Sequence, residues 1–323
     1  MRKERHTSAS RSLHAIEDRD EKMILGVCSM VVVMRTAIVT DTNSGMSVPE
    51  GRERGIFVLP MPVIVDGKDY REGKDVSFQD VFRAMEDGKR VSTASPSLGE
   101  LKALWDSIFE EGYEEIVYIP MSSGLSSSYS QAVLMAETYE GRVYVVDNHR
   151  ISLTQYESVL DAKAFADQGK NGAAIKEILE ANTYGATIYL TVESIEYLRR
   201  SGRVTPAALA LAAFLKIKPI LTIQGEKLDA FAKTRGMRAA MKKMLDATAA
   251  DLQQKYPDTP KQKILVGAAG TLVREEEVEQ WSSRVREAFP DYTFLYHPLS
   301  CSVACHTGPG AVGTGFVAME RYA

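Results

Sequence analysis

The 323-residue sequence has few features of a disulfide-stabilised, membrane-spanning or nucleic-acid-binding protein. Its three cysteines, Cys28, Cys301 and Cys305, cannot all pair and are too few for a disulfide framework, which fits a reducing compartment. The formal net charge of −4 provides no general basic field for nucleic acid or anionic lipid. The apolar run from Met23 to Met34 has 12 residues, short of the ~20 needed to span a bilayer. These features predict a cytoplasmic protein with no nucleic-acid partner and no stable membrane insertion.

The amino-terminal 34 residues differ in character from the rest of the chain. Acidic residues lie just before the apolar run, where a signal peptide would carry a basic segment. We therefore expect residues 1–34 to be a disordered or non-native extension. With roughly 150 residues per domain as a guide, the remainder predicts two α/β domains, over residues 35–160 and 161–323.

Alternating strand and helix patterns in the first half predict a parallel, doubly wound sheet. Apolar runs such as Ile116–Ile119 are typical of strands buried on both faces. Residues 56–65 form one predicted β segment, in which Pro60 and Pro62 indicate an edge or a bulge. In the second half, a predicted hairpin around Gly225 and Glu226 together with several helices indicates a mixed or antiparallel sheet.

Four segments rich in hydroxyl groups or glycine are candidate binding loops: residues 41–44, 92–97, 122–128 and 306–310. The first three follow predicted strands, and ligands of doubly wound sheets bind at the carboxyl ends of the strands. Free amides at helix amino termini, together with hydroxyls, can hold a carboxylate without a dedicated lysine or arginine. The alternative, that these serines only cap helices and form turns, remains open at this point.

Motifs for nucleotide and metal binding are incomplete. Residues 308–313 satisfy G-x-G-x-x-G, but a β-rich run follows where the dinucleotide fingerprint requires a helix. The sequence contains no P-loop motif. Cys301, Cys305 and His306 are close in sequence, but no second cluster supplies further metal ligands. We therefore predict no cofactor and no metal.

A serine hydrolase or esterase is the competing enzymatic hypothesis. Gly124–Ser128 is one residue short of the nucleophile elbow G-x-S-x-G, and Ser126, Asp147 and His306 occur in hydrolase order. Against this hypothesis, Ser128 stands where the elbow requires glycine, and no oxyanion segment is recognisable. The apolar stretch Ala207–Leu215 is either an ordinary buried helix or one wall of a lipid-sized cavity.

Several short segments, in order along the chain, resemble motifs of the DegV family. The family patterns T-D-S-T-A-D-L, T-S-Q-P-S, S-S-x-L-S-G-T-Y, L-x-Y-L-x-x-x-G-R-I, R-T and H-T-G-P-G are met by residues 40–46, 93–97, 122–129, 195–204, 234–236 and 306–310. The resemblance extends from Thr36 to Ala323. Two departures are Ala94, which replaces a hydroxyl residue, and the pair Ser127-Ser128, which replaces glycine and threonine.

The resemblance implies a non-catalytic carrier that buries a long-chain fatty acid, such as palmitate, stearate or oleate, between two domains. By motif position, Thr93, Ser123 and His306 would hold the carboxylate. Ser95 and Ser126 are further candidates for the same role.

The family resemblance also implies a partner, a fatty acid kinase of the dihydroxyacetone-kinase-like type that phosphorylates the bound acyl group. Arg203 and Arg235 occupy the positions associated with contact to this kinase. A sugar-binding domain of dihydroxyacetone-kinase-like type is a weaker hypothesis, because the candidate site opens toward apolar segments.

Overall fold

In the computed structural model, residues 34–211, 217–223 and 227–322 are described, and residues 34–323 form one compact unit. The predicted extension at residues 1–34 lies almost entirely outside the described residues. So do the turn at Gly225 and Glu226 and the end of the apolar stretch after Leu211. The predicted boundary between two domains at residue 160 stays a prediction.

The first sheet is parallel and is built from the first half of the chain. Its strands are β1 (Thr36–Asp41), β2 (Ile56–Leu59), β6 (Glu115–Ile119) and β7 (Val143–Val145), in the order β2-β1-β6-β7. Helices pack on it, as the prediction of a doubly wound arrangement requires. The fold class of this half is confirmed.

The second sheet is mixed and is built from the second half. Its strands are β8 (Ala186–Thr191), β9 (Ile217–Ile223), β10 (Asp229–Arg235), β11 (Ile264–Gly270), β12 (Thr293–Pro298) and β13 (Val312–Ala318). Their order is β10-β9-β8-β13-β11-β12, and every pair is antiparallel except β11 with β12. The mixed sheet predicted for this half is confirmed.

A small antiparallel sheet contains β3 (Pro62–Val65), β4 (Lys68–Arg71) and β5 (Val91–Thr93). The prediction of a single β segment over residues 56–65 is therefore wrong, because β2 and β3 belong to different sheets. Pro60 has no amide hydrogen, and the amide of Met61 donates to Thr42 Oγ1 at 3.1 Å instead of to a strand. The chain consequently leaves the first sheet at this point.

Helices connect the strands. They are α1 (Val48–Glu53), α2 (Phe78–Glu86), α3 (Leu98–Glu110), α4 (Ser128–Ala136), α5 (Leu153–Asp167), α6 (Gly172–Ala181), α7 (Glu196–Ser201), α8 (Pro206–Leu211), α9 (Met237–Lys255), α10 (Glu275–Ala288) and α11 (Cys301–Thr307). The predicted capping box of α3 is confirmed: Ser97 Oγ accepts from the amide of Glu100, whose carboxylate accepts from the amide of Ser97.

Candidate ligand-binding site

A largely apolar cavity lies between the two larger sheets. Both halves of the chain contribute apolar walls, including Leu125, Ile151, Leu153, Ile188, Leu190 and Ile223. The space free of protein atoms is about 990 Å³, which includes the open mouth. A predominantly apolar ligand suits these walls.

Polar side chains from distant parts of the sequence meet at the cavity. Thr93 stands at the end of β5 and His306 in the last turn of α11, and Thr93 Oγ1 lies 2.8 Å from His306 Nε2. The sequence analysis places His306 in a loop, but in the structure it belongs to a short helix whose first turn is capped by Ser300. Both predicted residues line the cavity, as does Arg203.

A cluster of serine hydroxyls lies beside this pair. Ser95 Oγ is 3.0 Å from Ser127 Oγ and 3.4 Å from Ser126 Oγ. Ser126 Oγ also accepts from the amide of Ser128 at 3.1 Å, at the start of α4. Ser126 therefore forms a turn and lines the cavity at the same time.

Two predicted site residues lie elsewhere. Ser123 is not among the cavity-lining residues; its Oγ lies 3.5 Å from His149 Nδ1, and its amide donates to Asp147 Oδ1. The loop at residues 122–128 thus brings Ser126, not Ser123, to the cavity. Arg235 is exposed at the end of the edge strand β10, away from the cavity lining.

Electrostatics at the cavity depend on His306 and Arg203. Burial, and secondarily the charge of Arg203, lower the pKa of His306 to about 4. The imidazole is therefore neutral near pH 7 and serves as a hydrogen-bonding group. Arg203 is half-buried and supplies a positive charge at a position that the sequence analysis assigned only to partner contact.

Glu72 anchors α11, the helix that carries His306. The sequence analysis did not identify Glu72 as a site residue. Its buried carboxylate accepts from the amide of Cys301 at 2.5 Å and from Thr42 Oγ1 at 2.8 Å. Burial raises the pKa of Glu72, whereas these hydrogen bonds oppose the rise. An acidic residue 229 positions from the helix in sequence gives no local signal of this contact.

The serine hydrolase hypothesis is not supported by these contacts. Ser126 Oγ contacts Ser128 and Ser95, and His306 contacts Thr93. Asp147 Oδ1 lies 3.5 Å from His149 Nδ1. The three side chains of the proposed triad are thus engaged in separate interactions.

Within the part of the chain that the structure describes, no three His, Cys, Asp or Glu side chains form a group that could bind a metal ion. None of the helices described is both long enough and apolar enough to span a bilayer.

A family model and individual relatives with known sequences all point to the same family. The sequence model described as "Uncharacterised protein, DegV family" matches residues 35–319. A DegV domain-containing protein of Deinococcus radiodurans is 30% identical over 291 residues, covering 89% of this chain and 99% of the relative. One from Listeria monocytogenes is 28% identical over 281 residues, covering 86% and 97%.

Comparison with solved structures agrees. A DegV family protein from Thermus thermophilus, described by its fatty acid binding, matches with a TM-score of 0.79 and 26% identity, covering 88% of this chain and 100% of that chain. DegV from Bacillus subtilis, described as a fatty acid binding protein, matches with a TM-score of 0.77 and 22% identity over 88% and 99%. Because its identity is below 25%, the match to the Bacillus subtilis protein shows the fold alone.

Proposed function

The chain belongs to the DegV family, and we propose that it binds one long-chain fatty acid in the cavity between its two larger sheets, without catalysis of its own. The observation that carries this proposal is the cavity itself, which has largely apolar walls and is also lined by the polar residues Thr93, His306 and Arg203. The fatty acid binding described for the Thermus thermophilus protein supports it.

The apolar walls account for most of the expected affinity. Burying a chain of about sixteen carbons gains on the order of 12 kcal/mol, at about 0.8 kcal/mol per methylene, before the costs of ordering and association. Acyl-chain length should therefore change the affinity more than the charge of the head group does.

The polar residues would hold the carboxylate. Thr93, Ser95 and Ser126 offer hydroxyl donors, the neutral His306 offers a ring N–H, and Arg203 offers a complementary charge. We assign Ser126 this role in preference to Ser123, because Ser126 lines the cavity and Ser123 does not.

Binding to delipidated protein tests this assignment. Thr93→Val should weaken palmitate binding about tenfold, since a hydrogen bond to a charged group is lost. Ser92→Ala is the matched control, because Ser92 is the preceding residue, is exposed and does not line the cavity. Equal affinities for both variants and the wild type would refute the role of Thr93.

The second part of the proposal is that the chain presents the carboxylate to a fatty acid kinase. Arg235 is exposed and outside the cavity, so Arg235→Ala should leave palmitate affinity unchanged and lower acyl-phosphate formation by a kinase of this type. Lys233→Ala is the control, since Lys233 carries the same charge on the same exposed side of β10. Equal turnover with both variants would argue against Arg235 as a kinase contact.

A further inference from the structure

His306 lies just beyond one end of the second sheet. At this end Gly270 of β11 pairs with Val312 of β13. Thr271 Oγ1, one residue past β11, donates to the carbonyl oxygen of Gly308 at 2.7 Å, and His306 is two residues before Gly308. Moving along β13 from Val312 toward its carboxyl end therefore leads away from His306.

Three successive rows of residues cross this sheet on its cavity side. Because alternate residues of a strand share a face, each row is about 7 Å from the next. From the end nearest His306, the first row is Ala269, Gly313 and Leu190, the second is Gly267, Gly315 and Ile188, and the third is Leu265, Val317 and Ala186. All of the first row lines the cavity, only Ile188 of the second does, and none of the third. The cavity therefore ends at the second row.

The second row contains two glycines, and side chains from other positions cover both of them. A Cβ atom at Gly267 would lie 3.0 Å from Cδ2 of Leu153, the first residue of α5. A Cβ atom at Gly315 would lie 3.1 Å from Cγ1 of Ile188. Since a glycine has no side chain of its own, Leu153 and Ile188 close the cavity above these positions.

Leu153 is held firmly in this place. It lines the cavity, is 1% exposed, and belongs to the buried apolar cluster that includes Leu265 and Val317 of the third row. The same helix packs against the first sheet through Tyr156 and Val159. Leu153 can therefore move away from the second sheet only if α5 moves with it.

We propose that Leu153 and Ile188 set the longest acyl chain that the cavity accepts. With the carboxylate at Thr93 and His306, the chain crosses the first row and its terminal methyl group meets Leu153 and Ile188. Each added methylene is buried until this contact is made, and further carbons gain no burial. The inference rests on the proposed function, since it takes the carboxylate to lie at the His306 end.

The test measures binding of saturated fatty acids, from about twelve to about twenty-two carbons, to the delipidated full-length chain. For the wild type, affinity should rise up to about fourfold per carbon and then stop rising at a break. Leu153→Ala should move the break to acids about two or three carbons longer, because it removes about three carbon atoms from the wall.

Ile188→Ala should move the break in the same direction. Ile188 is only partly buried, so its truncation costs less stability and keeps the proposal testable if Leu153→Ala does not fold. Leu299→Ala is the matched control, because Leu299 lines the cavity at the opposite end, where its amide donates to the carbonyl oxygen of Gly270 at 3.0 Å. It should weaken binding at every length and leave the break unchanged.

Three results would overturn the length limit while leaving fatty acid binding intact. They are a wild-type affinity that rises over the whole series, a break that stays in place in both Leu153→Ala and Ile188→Ala, and an equal shift of the break in Leu299→Ala. Failure of the wild type to bind an acid of any length would overturn the proposed function as well.

Discussion

The contact between Thr93 and His306 joins residues 213 positions apart. Burial and the nearby charge of Arg203 lower the pKa of His306, so Thr93 contacts an uncharged ring near pH 7. The two motifs containing these residues are recognisable in the sequence, but only the family resemblance associated them with one ligand. Their direct contact could not be predicted, because no local pattern reports a distance across the fold.

The lowered pKa of His306 gives a prediction for the pH dependence of stability. The unfolded chain takes up a proton at His306 near the ordinary pKa of 6.5, whereas the folded, ligand-free chain does so only near 4. Between these values the unfolded state binds more protons, so stability is lost as the pH falls. The wild type should therefore lose about 2–3 kcal/mol more than His306→Asn between pH 6.5 and pH 4.

Urea unfolding of the delipidated proteins at several pH values measures this difference. Comparing the two proteins cancels the opposing contribution of buried carboxyls whose pKa is raised, such as Glu72 and Asp161. Parallel pH profiles for the wild type and His306→Asn would show that His306 does not titrate as described.

Helix α11 is short, and contacts at both ends hold it in place. Glu72 accepts from its first amide, and Gly308 follows its carboxyl end with a φ of +72°. A Cβ atom at Gly308 would lie 2.3 Å from Cδ2 of Tyr197, on α7. The position of His306 therefore depends on residues outside its own helix.

Glu72→Gln should destabilise the protein by about 1–3 kcal/mol, because an amide replaces one acceptor oxygen of a buried carboxylate. It should also weaken palmitate binding and speed amide hydrogen exchange in residues 301–307. Glu86→Gln, at an exposed position of α2, is the control and should change none of the three. Unchanged exchange in Glu72→Gln would contradict an anchoring role.

Gly308→Ala should destabilise the protein because the new methyl group meets the Tyr197 ring and because φ is positive. Combining it with Tyr197→Ala should recover the part of the loss that comes from the collision. A double-mutant cycle of unfolding free energies measures this coupling. Strictly additive effects would show that the ring does not constrain this turn.

Elements differ in how far the sequence predicts them. The Ser97–Glu100 capping box predicts the start of α3 because its signal is local. In contrast, α5 has no apolar stripe of helical period, since buried Gln155, Glu157 and Asp161 share its surface with apolar residues. Glu157 and Asp161 are paired with Arg321 from the far end of the chain, a tertiary contact that a single sequence does not reveal.

The two larger sheets together create the cavity, which neither could form alone. The sequence predicted both sheet types and allowed a lipid-sized cavity, but its lining could not be listed, because the apolar residues of a cavity and of a solid core follow the same periodicity. Leu190 and Leu265 illustrate this point. Both are buried in one apolar cluster, yet only Leu190 lines the cavity.

Filling the cavity should separate these two leucines. Leu190→Trp places the larger side chain in existing space and should abolish palmitate binding at little cost to the stability of the ligand-free protein. Leu265→Trp overpacks the core and should cost about 1–3 kcal/mol while the cavity remains. Calorimetry measures palmitate binding, and thermal unfolding measures stability. If Leu265→Trp abolished binding while Leu190→Trp only destabilised the protein, the cavity would lie elsewhere.

Native mass spectrometry of the full-length chain, purified from bacteria without lipid extraction, tests fatty acid binding most directly. We predict a complex of one chain with one long-chain fatty acid, and its absence from Leu190→Trp. A wild-type chain that carries no acyl ligand, and takes up none when palmitate is added, would contradict the account.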